Sequence, residues 1–153
     1  MKKLLSAAVL AMSVAACQQG SPYQQAYGTN FPGPKDGMAA VYLVRGPAAP
    51  EAPPIPISVG RQAVGSLAGS SWIRLDVTPD PVDLRAFGTQ NSTEVIITMS
   101  AGDTRFMIVE PEGATNAKLL TVSWDEGRKL VRAGQQAPSS YYPAPPDLPM
   151  GTN

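Results

Sequence analysis

The alternation of apolar and polar residues at positions 71–77 restricts the fold more than any other feature of the sequence. The apolar positions are Ile73, Leu75 and Val77, and the intervening positions are Trp72, Arg74 and Asp76. Successive side chains of a strand point to opposite faces, so the three aliphatic residues share one face. Such a half-apolar strand is typical of an antiparallel sheet that packs one face against a second layer. The segment therefore favours a layered β-protein.

Stretches rich in β-branched and aromatic residues predict seven further strands. They lie at 38–45, 55–59, 62–67, 82–87, 93–99, 104–110 and 117–122. Gly60-Arg61 and Ala101-Gly102-Asp103 have the turn chemistry of two hairpins, and Gly65 indicates a bulge or a close backbone approach. The turn at 78–81 is expected to return the chain into 82–87. We expect a mainly β, small antiparallel β-sandwich over residues 38–134.

One short C-terminal helix is predicted after the last strand. Ser123 and Glu126 fit a capping box, in which the serine side chain accepts a hydrogen bond from a free N–H of the first turn. Cations follow later in the segment, where they suit the negative end of the helix dipole. The pattern predicts a helix over 124–133 that ends at Gly134, with Trp124 packing it onto the sheet.

Both flanks of this domain have the composition of flexible chain. Residues 17–37 are rich in Gln, Gly and Pro and predict a tether. Tyr23, Tyr27 and Phe31 recur at four-residue spacing, but nearby glycine and prolines break a helix, so a loose tether is favoured. Residues 135–153 predict a Pro-rich disordered tail, whose part from Ser139 to Pro149 could bind an aromatic groove of another protein.

The first sixteen residues have the order of a secretory signal peptide. Lys2 and Lys3 precede an apolar run too short for a stable membrane span, and small residues follow. Removal of residues 1–16 leaves 137 of the 153 residues, with 10 basic against 12 acidic side chains and a net charge of −2. This balance argues against nucleic acid as a partner and against a polybasic membrane patch.

Val14-Ala15-Ala16-Cys17 resembles the lipobox of bacterial lipoproteins. The resemblance implies cleavage between Ala16 and Cys17, a diacylglyceryl group on the Cys17 thiol and acylation of the new amino terminus. Gln18 is not the aspartate associated with inner-membrane retention, so the resemblance implies an outer-membrane anchor facing the periplasm. Lipidation would consume the single cysteine, so the domain must be stable without a disulfide.

The order of motifs from VYLVR through AVGSL, WIRLDVTPDPVDLRAF and FMIV to DEGRKL resembles uncharacterised bacterial lipoproteins with a PEGA-like β domain. The resemblance covers residues 38–133 and implies a sandwich of transthyretin or immunoglobulin type without an assigned activity. The sequence departs from that pattern at Asp80-Pro81, where a Pro-Gly pair is usual, and at Val59-Gly60, where Asp-Gly is usual.

Little in the sequence points to catalysis, metal binding or a cofactor. The chain has no histidine, which excludes Ser-His-Asp and Cys-His machinery. Glu110 and Glu112 are read as a solvated strand end, and the aspartates at 76, 80 and 83 as turn formers. We therefore expect no catalytic residue, metal or cofactor. The alternative is a small glycan hydrolase, which would need two carboxylates about 5–10 Å apart across a cleft.

Trp72, Arg74 and Phe87 form the candidate partner surface, because all three fall on predicted outward faces and exposed aromatics beside arginine are common in contact sites. The alternative is that the second sheet or the terminal helix covers the aromatic residues. The sequence thus predicts a lipid-anchored, non-enzymatic envelope protein that binds an envelope protein or peptidoglycan. An assembly factor acting through its Pro-rich tail is a further alternative.

Overall fold

The fold is known from a computed structural model, which describes residues 31–143. Its elements are β1 (Ala39–Arg45), β2 (Ile55–Val59), β3 (Gln62–Leu67), β4 (Ser71–Val77), β5 (Val82–Phe87), β6 (Ser92–Ile97), β7 (Thr104–Glu112), β8 (Asn116–Val122), α1 (Trp124–Ala133) and β9 (Gln135–Gln136). The predicted signal peptide, most of the predicted tether and the last ten residues lie outside the described part of the chain.

The strands form two sheets that pack face to face. Sheet A has the order β8-β7-β1-β4-β9 and sheet B the order β3-β2-β5-β6. Pairing is antiparallel except where β1 meets β7 and β4 meets β9. Aliphatic side chains from both sheets form the core between them, including Val41, Leu43, Ile73 and Leu84. A mainly β sandwich with one short C-terminal helix is therefore confirmed.

Strand β1 lies at the centre of sheet A and is buried along its whole length. Val41 and Leu43 point into the core between the sheets. Tyr42 and Val44 belong to a second apolar cluster on the opposite side of the sheet. A strand that is buried on both faces needs no polar alternation, which explains why VYLV is continuously apolar.

One of the predicted connections is wrong. Strand β6 pairs with β5 in sheet B, whereas β7 pairs with β1 and β8 in sheet A, so residues 98–103 cross between the sheets instead of closing a hairpin. The turn at 78–81 returns the chain into β5 as expected, and β5 lies in sheet B whereas β4 lies in sheet A. Turn residues reverse the chain in both kinds of connection, and only the burial of the following strand selects its sheet.

The special role expected for Gly65 is confirmed. The β2–β3 pairing shifts register between Ile57 and Ser58, opposite Gly65, whose φ is 149°. A Cβ atom on Gly65 would stand 2.7 Å from the carbonyl oxygen of Pro138. The position thus serves as a bulge and as a close approach of two backbone segments at once.

The prediction of a disordered tail from residue 135 onward is wrong for its first part. Gln135 and Gln136 pair with β4 as β9. The amide of Ala137 then donates to Trp72 O over 2.8 Å, and the amide of Ser140 donates to Val64 O over 3.0 Å. Residues 137–141, here called the C-terminal strap, thereby run from sheet A to the edge of sheet B. Most residues of the strap retain an N–H, and prolines remove donors only at their own positions.

The predicted tether also ends earlier than expected. Phe31, Pro32, Gly33 and Lys35 contact the domain, so the residues from 31 to 37 do not behave as free linker. These contacts lie on the side of sheet A that carries α1, where the candidate site is found.

Candidate functional site

The side of sheet A that faces away from sheet B carries its own apolar cluster. Its buried members are Ala40, Tyr42, Val44, Trp72, Phe106 and Val131. Helix α1 covers the cluster with its buried positions, Gly127 and Val131. A two-sheet sandwich would leave this face in water, so α1 forms a third layer over it. We call α1, the residues from 31 to 35 and the side chains beneath them the α1 face.

Phe31 is held by an aromatic socket on the α1 face. Its ring centroid lies 5.0 Å from that of Tyr42, 5.4 Å from that of Phe106 and 6.1 Å from that of Trp124. The guanidinium carbon of Arg128 lies 5.5 Å from the Phe31 centroid, within the range of a cation–π contact. The N-terminal segment is therefore anchored to the domain at Phe31.

Polar contacts fix the residues that follow Phe31. Arg74 Nη2 donates to Gly33 O over 2.7 Å and to Asp76 Oδ1 over 2.8 Å. The same Asp76 carboxylate lies 3.5 Å from Lys35 Nζ. The chain therefore enters the domain along a defined line on the outer side of β4 and β1.

The solvent side of the α1 face combines an exposed aromatic ring with cations. Trp124 packs edge-on against Phe106, with a centroid distance of 5.2 Å, yet remains 46% exposed. Arg128 and Lys129, with Asp125, Arg132 and Ala133, line a shallow depression of about 400 Å³. The serine half of the predicted capping box is confirmed, since the Ser123 side chain accepts a hydrogen bond from the Glu126 amide.

Trp72, Arg74 and Phe87 do not form one exposed surface in the structure. Trp72 is only 1% exposed, because α1 covers the outer face of sheet A. Arg74 binds Gly33 and Asp76 beneath the N-terminal segment. Phe87 is 38% exposed, as expected of an outward position, but it lies on sheet B, on the opposite side of the molecule. The alternation of apolar and polar residues shows which side chains of a strand share a face. It does not show that α1 covers the outer face of sheet A and leaves that of sheet B exposed.

The other candidate residues are placed as follows. Ala16 and Cys17 lie outside the described residues. Glu110 lies 3.2 Å from Lys118, and Asp83 lies 3.0 Å from Arg85. The hydrogen bond between Asp83 and Arg85 raises the pKa of the arginine. Between residues 31 and 143, no three carboxylates or thiols converge in the manner of a metal site.

Sequence reasoning did not identify Phe31 as a member of the site. Its four-residue spacing from Tyr27 and Tyr23 suggests an aromatic residue that makes contacts. The surrounding glycine and prolines, which break a helix, instead favour a loose tether. The sequence predicts only a packing role for Trp124, whereas in the structure its ring both packs against Phe106 and remains 46% exposed.

The fold is thus a two-sheet β domain with a helix-covered outer face. Comparison of the chain with protein-family models, with curated proteins and with solved structures finds no match in any of the three. The described residues include no helix with the length and apolarity needed to cross a membrane.

Proposed function

We propose that this chain is a lipid-anchored protein of the bacterial cell envelope that acts as a non-enzymatic binding or structural module. The single observation that carries the proposal is the order of residues 1–17: two lysines, an apolar run, small residues and the only cysteine. In this reading the Cys17 thiol carries the lipid, and the described domain is the part displayed from the membrane.

The size and layout of the chain support this reading. Thirteen residues separate Cys17 from Phe31, which is the point at which the chain joins the domain. Several acyl chains on one cysteine would anchor the protein stably, whereas a single chain binds only marginally. Gln18 after the cysteine favours the outer membrane, with the domain in the periplasm. An envelope protein or peptidoglycan is the proposed partner.

The alternatives have less support. A carboxylate-dependent hydrolase needs an acid and a base or nucleophile on opposite sides of a cleft. Glu110 instead forms an ion pair with Lys118 on the neighbouring strand. For the assembly reading, residues 137–141 are occupied as the strap, and only residues beyond it would remain for a partner's groove.

The mass and location of the protein test the proposal. Wild type and Cys17→Ser are expressed with the complete signal sequence, and each is measured by intact mass and by membrane fractionation. We expect wild type in the membrane fraction with the mass of residues 17–153 plus glyceryl-linked and amide-linked acyl chains. Cys17→Ser should lack that mass increment and leave the membrane fraction. An unshifted mass for wild type would rule the proposal out.

The partner is sought by crosslinking the membrane-anchored protein in intact envelopes. A variant that ends at residue 142 separates binding by the domain from binding by the remaining tail. Capture that is lost on truncation assigns the contact to the tail, and capture that persists assigns it to the domain.

A further inference from the structure

We propose that the α1 face docks onto the anionic phospholipid surface to which Cys17 tethers the chain. The inference rests on the proposed lipid anchor and adds an orientation to it: α1 and Phe31 face the membrane, and sheet B faces away.

The first argument is where the chain outside the described residues joins the domain. Phe31 is seated against Trp124 and Arg128, so the segment that leads back to Cys17 starts at the α1 face. Thirteen residues span at most about 45 Å even when fully extended. A domain of this length has a radius of gyration of about 13 Å, and thus a diameter of about 30 Å or more. The opposite side of the domain could therefore face the membrane only if these thirteen residues used most of that length, whereas the α1 face can lie at the surface without this requirement.

The second argument is the chemistry of the α1 face. The half-exposed indole of Trp124 has an apolar ring and an N–H donor, a combination that is favoured at the membrane–water boundary. Arg128, Lys129 and Arg132 lie along the same helix and can contact lipid phosphates. The outer face of sheet B differs, because there Arg85 is shared between Asp83 and Glu94, which leaves an excess of negative charge.

The strength of the contact must be modest. Asp125 and Glu126 in the first turn reduce the net charge of α1 to +1. Residues 17–153 carry a net charge of −2, which argues against a polybasic patch, and the few cations of α1 are likewise too few to recruit a free domain by electrostatics alone. A short tether, however, raises the effective concentration of the α1 face at the surface to the millimolar range. Docking would thus orient the anchored domain, while the lipid holds it.

The single cysteine allows a test that does not depend on lipidation in the cell. The thiol of Cys17 in a purified chain of residues 17–153 is coupled to a maleimide phospholipid, and the product is placed in vesicles. One set contains phosphatidylcholine alone and the other includes phosphatidylglycerol. Both carry lipids with a spin label near the headgroup, which quenches tryptophan fluorescence at the interface.

We expect blue-shifted and quenched emission in the anionic vesicles and little change in the neutral ones. Trp72 is buried beneath α1, so Trp124→Phe should remove the quenched component. Lys129→Glu should lower the docked-to-free ratio by more than about tenfold, because it replaces one favourable charge by an unfavourable one. The matched control is Arg61→Glu, an exposed position in the β2–β3 turn, which should leave the ratio unchanged.

The outcomes separate the two proposals. Emission that is equally unquenched in both sets of vesicles overturns docking, even if the cellular protein carries lipid on Cys17. If Lys129→Glu and Arg61→Glu lowered the docked-to-free ratio equally, docking would also be overturned, since the contact would then depend only on the overall charge of the protein. Docking of the coupled chain together with an unmodified cellular mass would instead reject only the lipoprotein assignment.

Discussion

Gly127 is the residue at which α1 comes closest to sheet A. A Cβ atom at this position would stand within 3.0 Å of the Phe106 side chain, a separation that real Cβ atoms essentially never show. The residue lies in the middle of a helix, where glycine is intrinsically unfavourable. The close approach to Phe106 therefore explains why glycine occupies this helical position, although glycine has a low helix propensity.

We expect Gly127→Ala to destabilise the domain although alanine is the better helix former. The gain in propensity is about 1 kcal/mol, and the displacement of Phe106 and the rings around it should outweigh it, for a net loss of about 1–3 kcal/mol. Denaturant unfolding monitored by circular dichroism measures the change. The control is Gly46→Ala, where the added methyl group meets no atom within 4 Å. A Gly127→Ala variant as stable as wild type would contradict this account of the helix–sheet contact.

Arg45 is a buried cation that ties two loops to the end of β1. It is 3% exposed, and its Nη1 donates to Pro53 O and Leu67 O, each over 2.8 Å. Burial lowers the pKa of its guanidinium. The side chain thus joins β1 to the Pro-rich loop before β2 and to the end of β3.

Replacement of Arg45 by methionine should leave both carbonyl groups without this donor. We expect a loss of about 1–3 kcal/mol in the free energy of unfolding, the usual cost of an unsatisfied buried polar group. Arg61→Met, in the exposed β2–β3 turn, is the control for loss of a positive charge. Equal stability changes in the two variants would show that the bonds to Pro53 and Leu67 contribute nothing.

At the scale of elements, the sequence predicted the bounds of the helix and of most strands well, but it predicted which strands pair less well. Helix α1 begins and ends at the expected residues, as do β2, β3, β4 and β5. These bounds depend on local signals such as the Ser123 cap, the alternation in β4 and the glycine turn between β2 and β3. The pairing of β6 and β7 was mispredicted because their connecting turn does not record which sheet each strand joins.

The sequence did not predict that the C-terminal strap is ordered. Ala137 and Tyr141 pack against the core between the sheets. Gln62 Nε2 donates to Ser140 O over 2.8 Å, and Ser140 Oγ donates to Ala63 O. Proline-rich composition predicted disorder, but a few well-placed donors and two apolar contacts are enough to hold so short a segment.

Alkaline pH should loosen this strap. Burial raises the pKa of Tyr141, so its neutral form is favoured in the folded protein. The corresponding stabilisation is complete below the pKa of an unfolded tyrosine, about 10, and is lost as pH rises through the higher folded value. We expect the free energy of unfolding to fall above about pH 10, measured by denaturant titration at each pH.

Tyr141→Phe should remove this part of the alkaline slope because it keeps the ring and deletes the ionisable group. The matched control is Tyr142→Phe, at the neighbouring position, whose side chain is 79% exposed. An identical slope in wild type and Tyr141→Phe would refute the assignment.

At the scale of the whole molecule, contacts between the two sheets close both open sides of the sandwich. On one side the Thr93 hydroxyl in sheet B donates to the carbonyl oxygen of Ala117 in sheet A. On the other side the strap connects the end of β9 to β3. The strap therefore contributes to the stability of the domain as a unit.

A chain truncated after Gln136 should be less stable than one truncated after Tyr142. The shorter chain loses four hydrogen bonds and the packing of Tyr141, together worth about 2–4 kcal/mol after the cost of ordering the strap. The longer chain keeps all of these contacts and should match wild type. Thermal and denaturant unfolding of the two chains provide the comparison. Indistinguishable curves would mean that the strap only rests on the surface.

Some features of this protein follow from short-range chemistry along the chain. They are its mainly β fold class, the bounds of its helix, the bulge at Gly65 and the small–small–Cys signature that ends at Cys17. Alternation, capping and turn preferences act over a few residues, so they can be read without knowing the fold.

Three other features follow only from long-range packing. They are the assignment of strands to sheets, the burial of Trp72 in the cluster under α1, and the contacts that hold Phe31 in its aromatic socket. These outcomes depend on residues far apart in the chain meeting over a common apolar surface, and the free energy of that burial appears only when the layers assemble. The candidate surface is therefore the exposed side of α1, and Trp72 and Phe87 are not part of it.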